Sequence, residues 1–177
     1  MKHWLFGYGS LIWHADFPHH ERRPAAIPGW ARRFWQGSHD HRGTPDSPGR
    51  VVTLVPADDT LCVGVAYQVD GAVFEHLDHR EKNGYERVTV DIHLFDEGGG
   101  RRRLVPGVTY IAPPGNDAFL GPAEPDEIAA HIARSSGPSG SNADYLLELA
   151  AALEALNVED GHVTELASRV ALRRQAG

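Results

Sequence analysis

Two stretches of this chain have residue types and spacing suited to chemistry. The first is the glycine-containing run Leu5-Phe6-Gly7-Tyr8-Gly9-Ser10-Leu11. Glycines at positions 7 and 9 open backbone angles closed to other residues and let a ligand approach the main chain. The N–H groups around Gly9, Ser10 and Leu11 are then placed to converge on one anion, a carboxylate or a phosphate. The competing reading is a plain bulge or tight turn after an edge strand. The second stretch is the short apolar pattern that ends at Glu81. At about 100° per residue, Glu81 falls about 20° from Phe74 and about 40° from Leu77, so its carboxylate shares the buried face of a helix while Asp78, Arg80 and Lys82 are solvated. A carboxylate pressed against an apolar face holds its proton more tightly than an exposed one, which suits it to proton transfer near neutral pH. The alternative is a frayed helix end with Glu81 exposed and paired to Arg80 or Lys82.

Other chemistries find less support. His39-Asp40-His41, with His14, His19 and His20 nearby, has imidazole and carboxylate ligands for a metal, but no His-Glu-x-x-His or Cys-x-x-Cys spacing accompanies them. No metal and no cofactor is expected. Ser10 lacks the Gly-x-Ser-x-Gly elbow of a serine hydrolase. The one cysteine, Cys62, lies in the strand-like run Leu61 to Tyr67 and has no partner for an internal disulfide, as expected of a small buried residue in a reducing compartment.

The elements that must position these residues are strands first and helices last. Met1 to Phe6 is a first strand running straight into the glycine turn. His14 to Arg23 is a surface loop, and Pro24 to Trp35 a strand bent at Pro28-Gly29. Gly37 to Arg50 is turn chemistry throughout, a long polar loop of the kind that more often carries function than not. Val51 to Val55 and Leu61 to Val69 form a hairpin around Pro56-Ala57-Asp58-Asp59. Asp70 is the expected N-cap of the Glu81 helix, which Asn83-Gly84 closes. Tyr85 to Phe95 alternates, with Val88, Val90, Ile92 and Leu94 on one face, and Gly98-Gly99-Gly100 turns it into Arg102 to Ala112. Helices follow over Asp126 to Arg134, over a stripe of Leu146, Leu149, Leu153 and Leu156 with Tyr145 near its start, and over about His162 to Arg174.

Composition limits what these elements can build. With 177 residues, 41% of them hydrophobic, one well-buried core and a single domain spanning 1–177 are expected. A net charge of −7 argues against a nucleic-acid or anionic-membrane partner, so an anionic substrate must be held by local donors. No run of about 18 apolar residues can span a bilayer, and no basic region followed by an apolar signal segment opens the chain; a cytoplasmic location is expected. Nothing in the pattern fixes the oligomeric state.

Four separated blocks, in order, give the chain a resemblance to the ChaC-type γ-glutamylcyclotransferases, a glutathione-degrading family. Leu5 to Trp13 meets the family's Phe-Gly-Tyr-Gly-Ser-Leu-Ile-Trp opening. Arg32 to Leu54 meets its Arg-Arg-Phe-Trp-Gln-Gly-Ser and Pro-Gly-Arg-Val-Val-Thr-Leu segments. Arg80 to Tyr85 meets Arg-Glu-Lys-x-Gly-Tyr, and Gly137 to Leu146 meets Gly-Pro-Ser-Gly-x-Asn-x-x-Tyr-Leu. One departure is His39, where the family usually has a small hydroxyl residue. The resemblance implies an α+β fold, a small mixed sheet closed into a barrel with helices packed on it. It implies conversion of glutathione to 5-oxoproline and cysteinylglycine. It also implies binding of the γ-glutamyl part by the turn, carried over to Leu5, Phe6, Gly7, Tyr8, Gly9 and Ser10 with Leu11 as an extension, catalysis by Glu81, and a substrate contact from Tyr145. That reaction needs no protein nucleophile, because the substrate's own α-amine attacks its γ-carbonyl. Rival readings are a non-catalytic carboxylate-binding barrel, which has no need of Glu81, and a cyclotransferase acting on other γ-glutamyl amines or peptides. Arg42 and Arg50 are candidates for the glycine carboxylate of glutathione, each with an ordinary solvated role as the alternative.

Overall fold

The structure, a computed structural model, describes residues 1–98 and 100–176. Its elements, in chain order, begin with strand β1 (Lys2–Gly7), a 3₁₀ turn (Ser10–Ile12), β2 (Glu21–Ser38), β3 (Gly49–Asp70), helix α1 (Val73–Arg80), β4 (Glu86–Phe95) and β5 (Arg102–Ile111). There follow α2 (Pro125–Arg134), the short strands β6 (Ser136–Gly137) and β7 (Gly140–Ser141), α3 (Asn142–Ala155) and α4 (Gly161–Ala176). The chain divides into two compact units, one of residues 1–32 and 54–113, the other of residues 33–53 and 114–177.

The first unit is built on a closed barrel with strand order β1-β3-β2-β4-β5. β1 runs antiparallel to β3 from Lys2 opposite Asp70 to Gly7 opposite Val65, and its pairing with β5, Leu5 opposite Val108, is parallel. This parallel seam beside antiparallel ones makes the barrel mixed, as expected, and closure leaves it no open edge. β4 and β5 pair antiparallel from Glu86 opposite Ile111 to Phe95 opposite Arg102. The alternation in β4 is realised: Val90, Ile92 and Leu94 are buried and Thr89 and Asp91 exposed. The turn expected over Gly98 to Gly100 includes Gly99, which lies outside the described residues.

Two expectations for this unit are corrected. Val51 to Val69 is no hairpin: β3 is one 22-residue strand. Pro56, Asp58 and Asp59 sit in its exposed stretch, where a strand tolerates proline and a kink, and Asp59 takes φ 58° there instead of reversing the chain. Asp70 is no helix cap either. It ends β3 with its carboxylate 3.0 Å from His20 Nε2, and α1 starts from Ala72 without a side-chain cap. β2 is longer than Pro24 to Trp35 but bends where expected, at Gly29, whose φ of 83° favours glycine.

In the second unit, α2, α3 and α4 bury one stripe each: Ile128, Ala129 and Ile132; Leu146, Leu149 and Leu153; Val163, Leu166 and Val170. Pro125 opens α2, where its missing N–H costs nothing. Ser141 caps α3, its Oγ accepting from Asp144 N at 3.0 Å. The break between the two helices carries the β6–β7 pairing, Ser136 opposite Ser141 and Gly137 opposite Gly140.

Candidate active site

The glycine turn is held by its carbonyls. Phe6 C=O accepts from Thr109 Oγ1 at 2.9 Å, Tyr8 C=O from Arg32 Nε at 2.7 Å and Leu11 C=O from the Tyr67 hydroxyl at 2.7 Å. Gly9 C=O accepts from Ile12 N at 2.9 Å, and Ser10 C=O from His14 N at 2.7 Å. In a trans peptide the N–H that follows points opposite to the carbonyl, so fixing Tyr8 and Gly9 C=O fixes where the Gly9 and Ser10 N–H groups point. The opening of a 3₁₀ turn also leaves the Ser10 and Leu11 N–H groups without an intrahelical acceptor. The donors that the turn can offer a ligand are thus main-chain N–H groups. The side chains of Leu5, Phe6, Tyr8 and Leu11 are buried, and Ser10 alone among the polar side chains of 5–11 is half-exposed.

Neither Gly7 nor Gly9 takes a positive φ, but Gly9, at φ −129° and ψ −128°, lies outside the regions that other residues favour. Gly7 is needed for a different reason: a methyl group there would lie 2.7 Å from Leu11 Cβ, too close for the turn to fold back on β1. Arg32, 2% exposed, reaches the carbonyls of Tyr8 and, at 2.5 Å, Val63. A buried charge satisfied by main-chain acceptors makes the turn rigid.

Glu81 is the C-cap of α1, its N–H bonded to Leu77 C=O at 2.8 Å, and its side chain is 19% exposed. It is thus a half-buried residue on the face of Leu77, not a frayed solvent residue. Arg80, read as solvated, is only 16% exposed. Its Nη1 lies 2.6 Å from Asp16 Oδ1, its Nη2 3.3 Å from Ser10 Oγ and its Nε 3.8 Å from Glu81 Oε1. One guanidinium therefore joins the turn to the carboxylate. Burial pushes the Asp16 carboxyl up, but the charge of Arg80 and a bond to His76 outweigh it and hold it below the usual range.

A second set of groups stands by Glu81. The Tyr110 hydroxyl donates to Asp78 Oδ1 at 2.5 Å, and Tyr110 C=O accepts from the Tyr8 hydroxyl at 2.5 Å. Burial first, then the bond and charge of Asp78, drive the Tyr110 phenol well above its ordinary value, Arg87 opposes them, and the charge of Glu81 adds to the rise. Tyr110 is therefore a neutral hydrogen-bond donor at any pH of interest. Asp16, Arg80 and Tyr110 escaped sequence reasoning because their partners are 32 to 70 residues away; the only local signal was the position of Arg80 next to Glu81.

The remaining predicted residue, Tyr145, belongs to the second unit. It is 6% exposed, its hydroxyl accepts from Val52 N at 3.4 Å, its ring meets the edge of Phe34 at 5.8 Å and the Arg42 guanidinium lies 5.6 Å from its centroid. Arg42 also donates to Ser141 C=O at 3.2 Å. Arg50 is a structural group. Nη1 donates to Phe34 C=O and Gly121 C=O, both at 2.9 Å, Nε donates to His131 Nδ1 at 3.3 Å, and the residue is 7% exposed. Two of its three nitrogens are thus engaged within the second unit. His41 bonds Ser139 Oγ at 3.1 Å, and among the described residues no three His, Cys, Asp or Glu side chains are grouped to hold a metal.

Known proteins resemble this chain over nearly its whole length. The ChaC-like protein family matches residues 3–173. A γ-glutamylcyclotransferase 2-3 of Arabidopsis thaliana is 45% identical over 96% of this chain and 89% of its own. A glutathione-specific γ-glutamylcyclotransferase 1 of Danio rerio is 42% identical over 90% and 84%. A crystal structure of the γ-glutamyl cyclotransferase specific to glutathione from yeast superposes with a TM-score of 0.89 at 35% identity, covering 96% of this chain and 95% of that one.

Proposed function

This chain belongs to the ChaC-like family, and we propose that it cleaves glutathione by cyclising the γ-glutamyl group, releasing 5-oxoproline and cysteinylglycine. The observation that carries this reading is Arg80, bonded to Ser10 of the glycine turn and 3.8 Å from Glu81, which joins the turn and a half-buried carboxylate in one network of the first unit. The names of the relatives support it, since both the zebrafish and the yeast protein are described as specific for glutathione.

In this reading the N–H groups of Gly9, Ser10 and Leu11 hold the substrate's α-carboxylate, with Leu5 to Tyr8 forming the rigid base beneath them. The α-amine arrives protonated. Glu81 takes one proton, the freed nitrogen attacks the γ-carbonyl carbon, Glu81 passes that proton to the amide nitrogen as its C–N bond to the carbonyl breaks, and a second proton lost by the attacking nitrogen as the lactam forms goes by the same carboxylate to the departing amine, which leaves as its ammonium. Atoms balance without water, and the folded-back substrate supplies its own nucleophile at high effective concentration. Tyr145 contacts the substrate, and no metal or cofactor takes part. The two units act as one domain, in line with a family match that runs across both. Glutathione is a cytosolic thiol and the single cysteine needs no oxidising compartment, so the protein works in the cytoplasm; it needs neither nucleic acid nor membrane.

The test is product identity. Incubation with glutathione is expected to give equimolar 5-oxoproline and cysteinylglycine by mass spectrometry. Intact glutathione after prolonged incubation with folded protein would overturn the reading.

A further inference from the structure

We infer that Asp16, acting through Arg80, is a positioning residue that ties the Glu81 carboxylate to the Ser10 hydroxyl. The inference rests on the roles proposed above for Glu81 and Ser10, and it concerns residues to which those roles give no part. Its basis is the division of one guanidinium among three partners: Nη1 to Asp16, Nη2 to Ser10 and Nε toward Glu81. The guanidinium is planar and its donors diverge in fixed directions, so fixing any one contact fixes the others; an ammonium has no such geometry.

Two consequences follow from the distances. The Ser10 Oγ accepts from Arg80, so its own hydrogen is directed away from the cation, toward whatever oxygen a ligand presents at the turn. Arg80 also gives its short, charge-assisted bond to Asp16, at 2.6 Å, and stands off from Glu81 at 3.8 Å. Asp16 carries the charge needed for this: it stays ionised because Arg80 and His76 offset its burial, His76 Nε2 lying 3.5 Å from the other carboxylate oxygen. Without Asp16, Arg80 is free to close on Glu81, and a carboxylate in a tight ion pair is a weaker base. Asp16 thus keeps Arg80 near enough to orient Glu81 and too committed elsewhere to neutralise it.

The experiment is a double-mutant cycle with Asp16→Asn, Arg80→Met and the pair together, read in kcat, KM and the pH profile of 5-oxoproline formation. Asp16→Asn is expected to lower kcat about tenfold and to move the acidic limb of the kcat profile to lower pH. Arg80→Met is expected to lower kcat and raise KM, and the double variant to match Arg80→Met within about twofold. Effects of the two substitutions that multiply, or an acidic limb that stays in place, overturn the inference. A readout independent of turnover is the Ser10 and Glu81 resonances in NMR spectra: Asp16→Asn must shift both with Arg80 present and neither with Met at position 80. Should the wild type form no 5-oxoproline, the proposed function fails while the resonances still decide the clamp. Should Arg80→Met not fold, Arg80→Lys, which can serve only one of the three partners at a time, replaces it in both arms with the same outcomes deciding.

Discussion

If Glu81 is the base of the proposed reaction, replacing it by Gln is the smallest change that removes the base, since shape and polarity are kept while the basic carboxylate is lost. Glu81 is the C-cap of α1 and half-buried, with its N–H committed to Leu77, so the backbone has no reason to move. We expect a folded protein, checked by its thermal transition, and a kcat lower by about 10²–10⁴. Turnover near that of the wild type would assign the base to another group. At this scale the sequence was informative where chemistry follows from a residue's own helix. The stripe of Phe74 and Leu77 placed Glu81 on the buried side, as the structure has it. It was silent where partners come from afar. Arg80 looked solvated beside Lys82 because helical phase alone cannot show a carboxylate at position 16, and Arg50 offered no sign that its Nη1 bonds the carbonyls of Phe34 and Gly121.

Among the elements, the loop expected over Gly37 to Arg50 is shorter, running from residue 39 to 48 between β2 and β3, and its stiffness was not legible in the sequence. His131 on α2 supplies that. Its Nε2 donates to Pro48 C=O at 2.7 Å and its Nδ1 accepts from Arg50 Nε at 3.3 Å, so the ring is the neutral Nε2–H tautomer, and a proton on Nδ1 would face the donor of Arg50. Burial in the first place, with Arg50 and Arg134 adding and the Pro48 carbonyl opposing, holds His131 below its ordinary value. The sign follows: the unfolded state takes up a proton first as pH falls, so the contribution of His131 is complete above about pH 6.5 and is lost as pH drops through the lower folded value. Amide exchange over residues 38–50, corrected for intrinsic rates, should therefore speed up between pH 7.5 and 5. His131→Gln, which can accept from Arg50 and donate to Pro48 without titrating, should flatten that dependence; equal sensitivity in both proteins would place the cause elsewhere. The β3 error has the same origin. Pro56 to Asp59 has turn residues, but whether such residues reverse a strand or merely kink it depends on the neighbours it pairs with, and β1 claims Val65 to Asp70 from across the barrel.

For the whole molecule, the question is which nucleophile the fold serves. A barrel with helices and a ChaC-like match over 3–173 sets the family, but the proposed pairing of main-chain donors with one carboxylate would serve a hydrolase that activates water as well as a cyclotransferase that deprotonates an amine. The two differ in a single substrate atom. Acetylating the α-nitrogen of glutathione removes its lone pair and leaves the γ-amide intact, so intramolecular attack stops while attack by water does not. We expect glutathione to give 5-oxoproline with no early free glutamate, and N-acetylglutathione to be inert. Loss of the ammonium also removes a charge that a carboxylate in the site would attract, so inertness must hold at concentrations shown by calorimetry to saturate the protein. The order of product appearance is free of that complication. Glutamate preceding 5-oxoproline, or acetylglutamate released from the blocked compound, would make water the nucleophile and Glu81 the base that activates it.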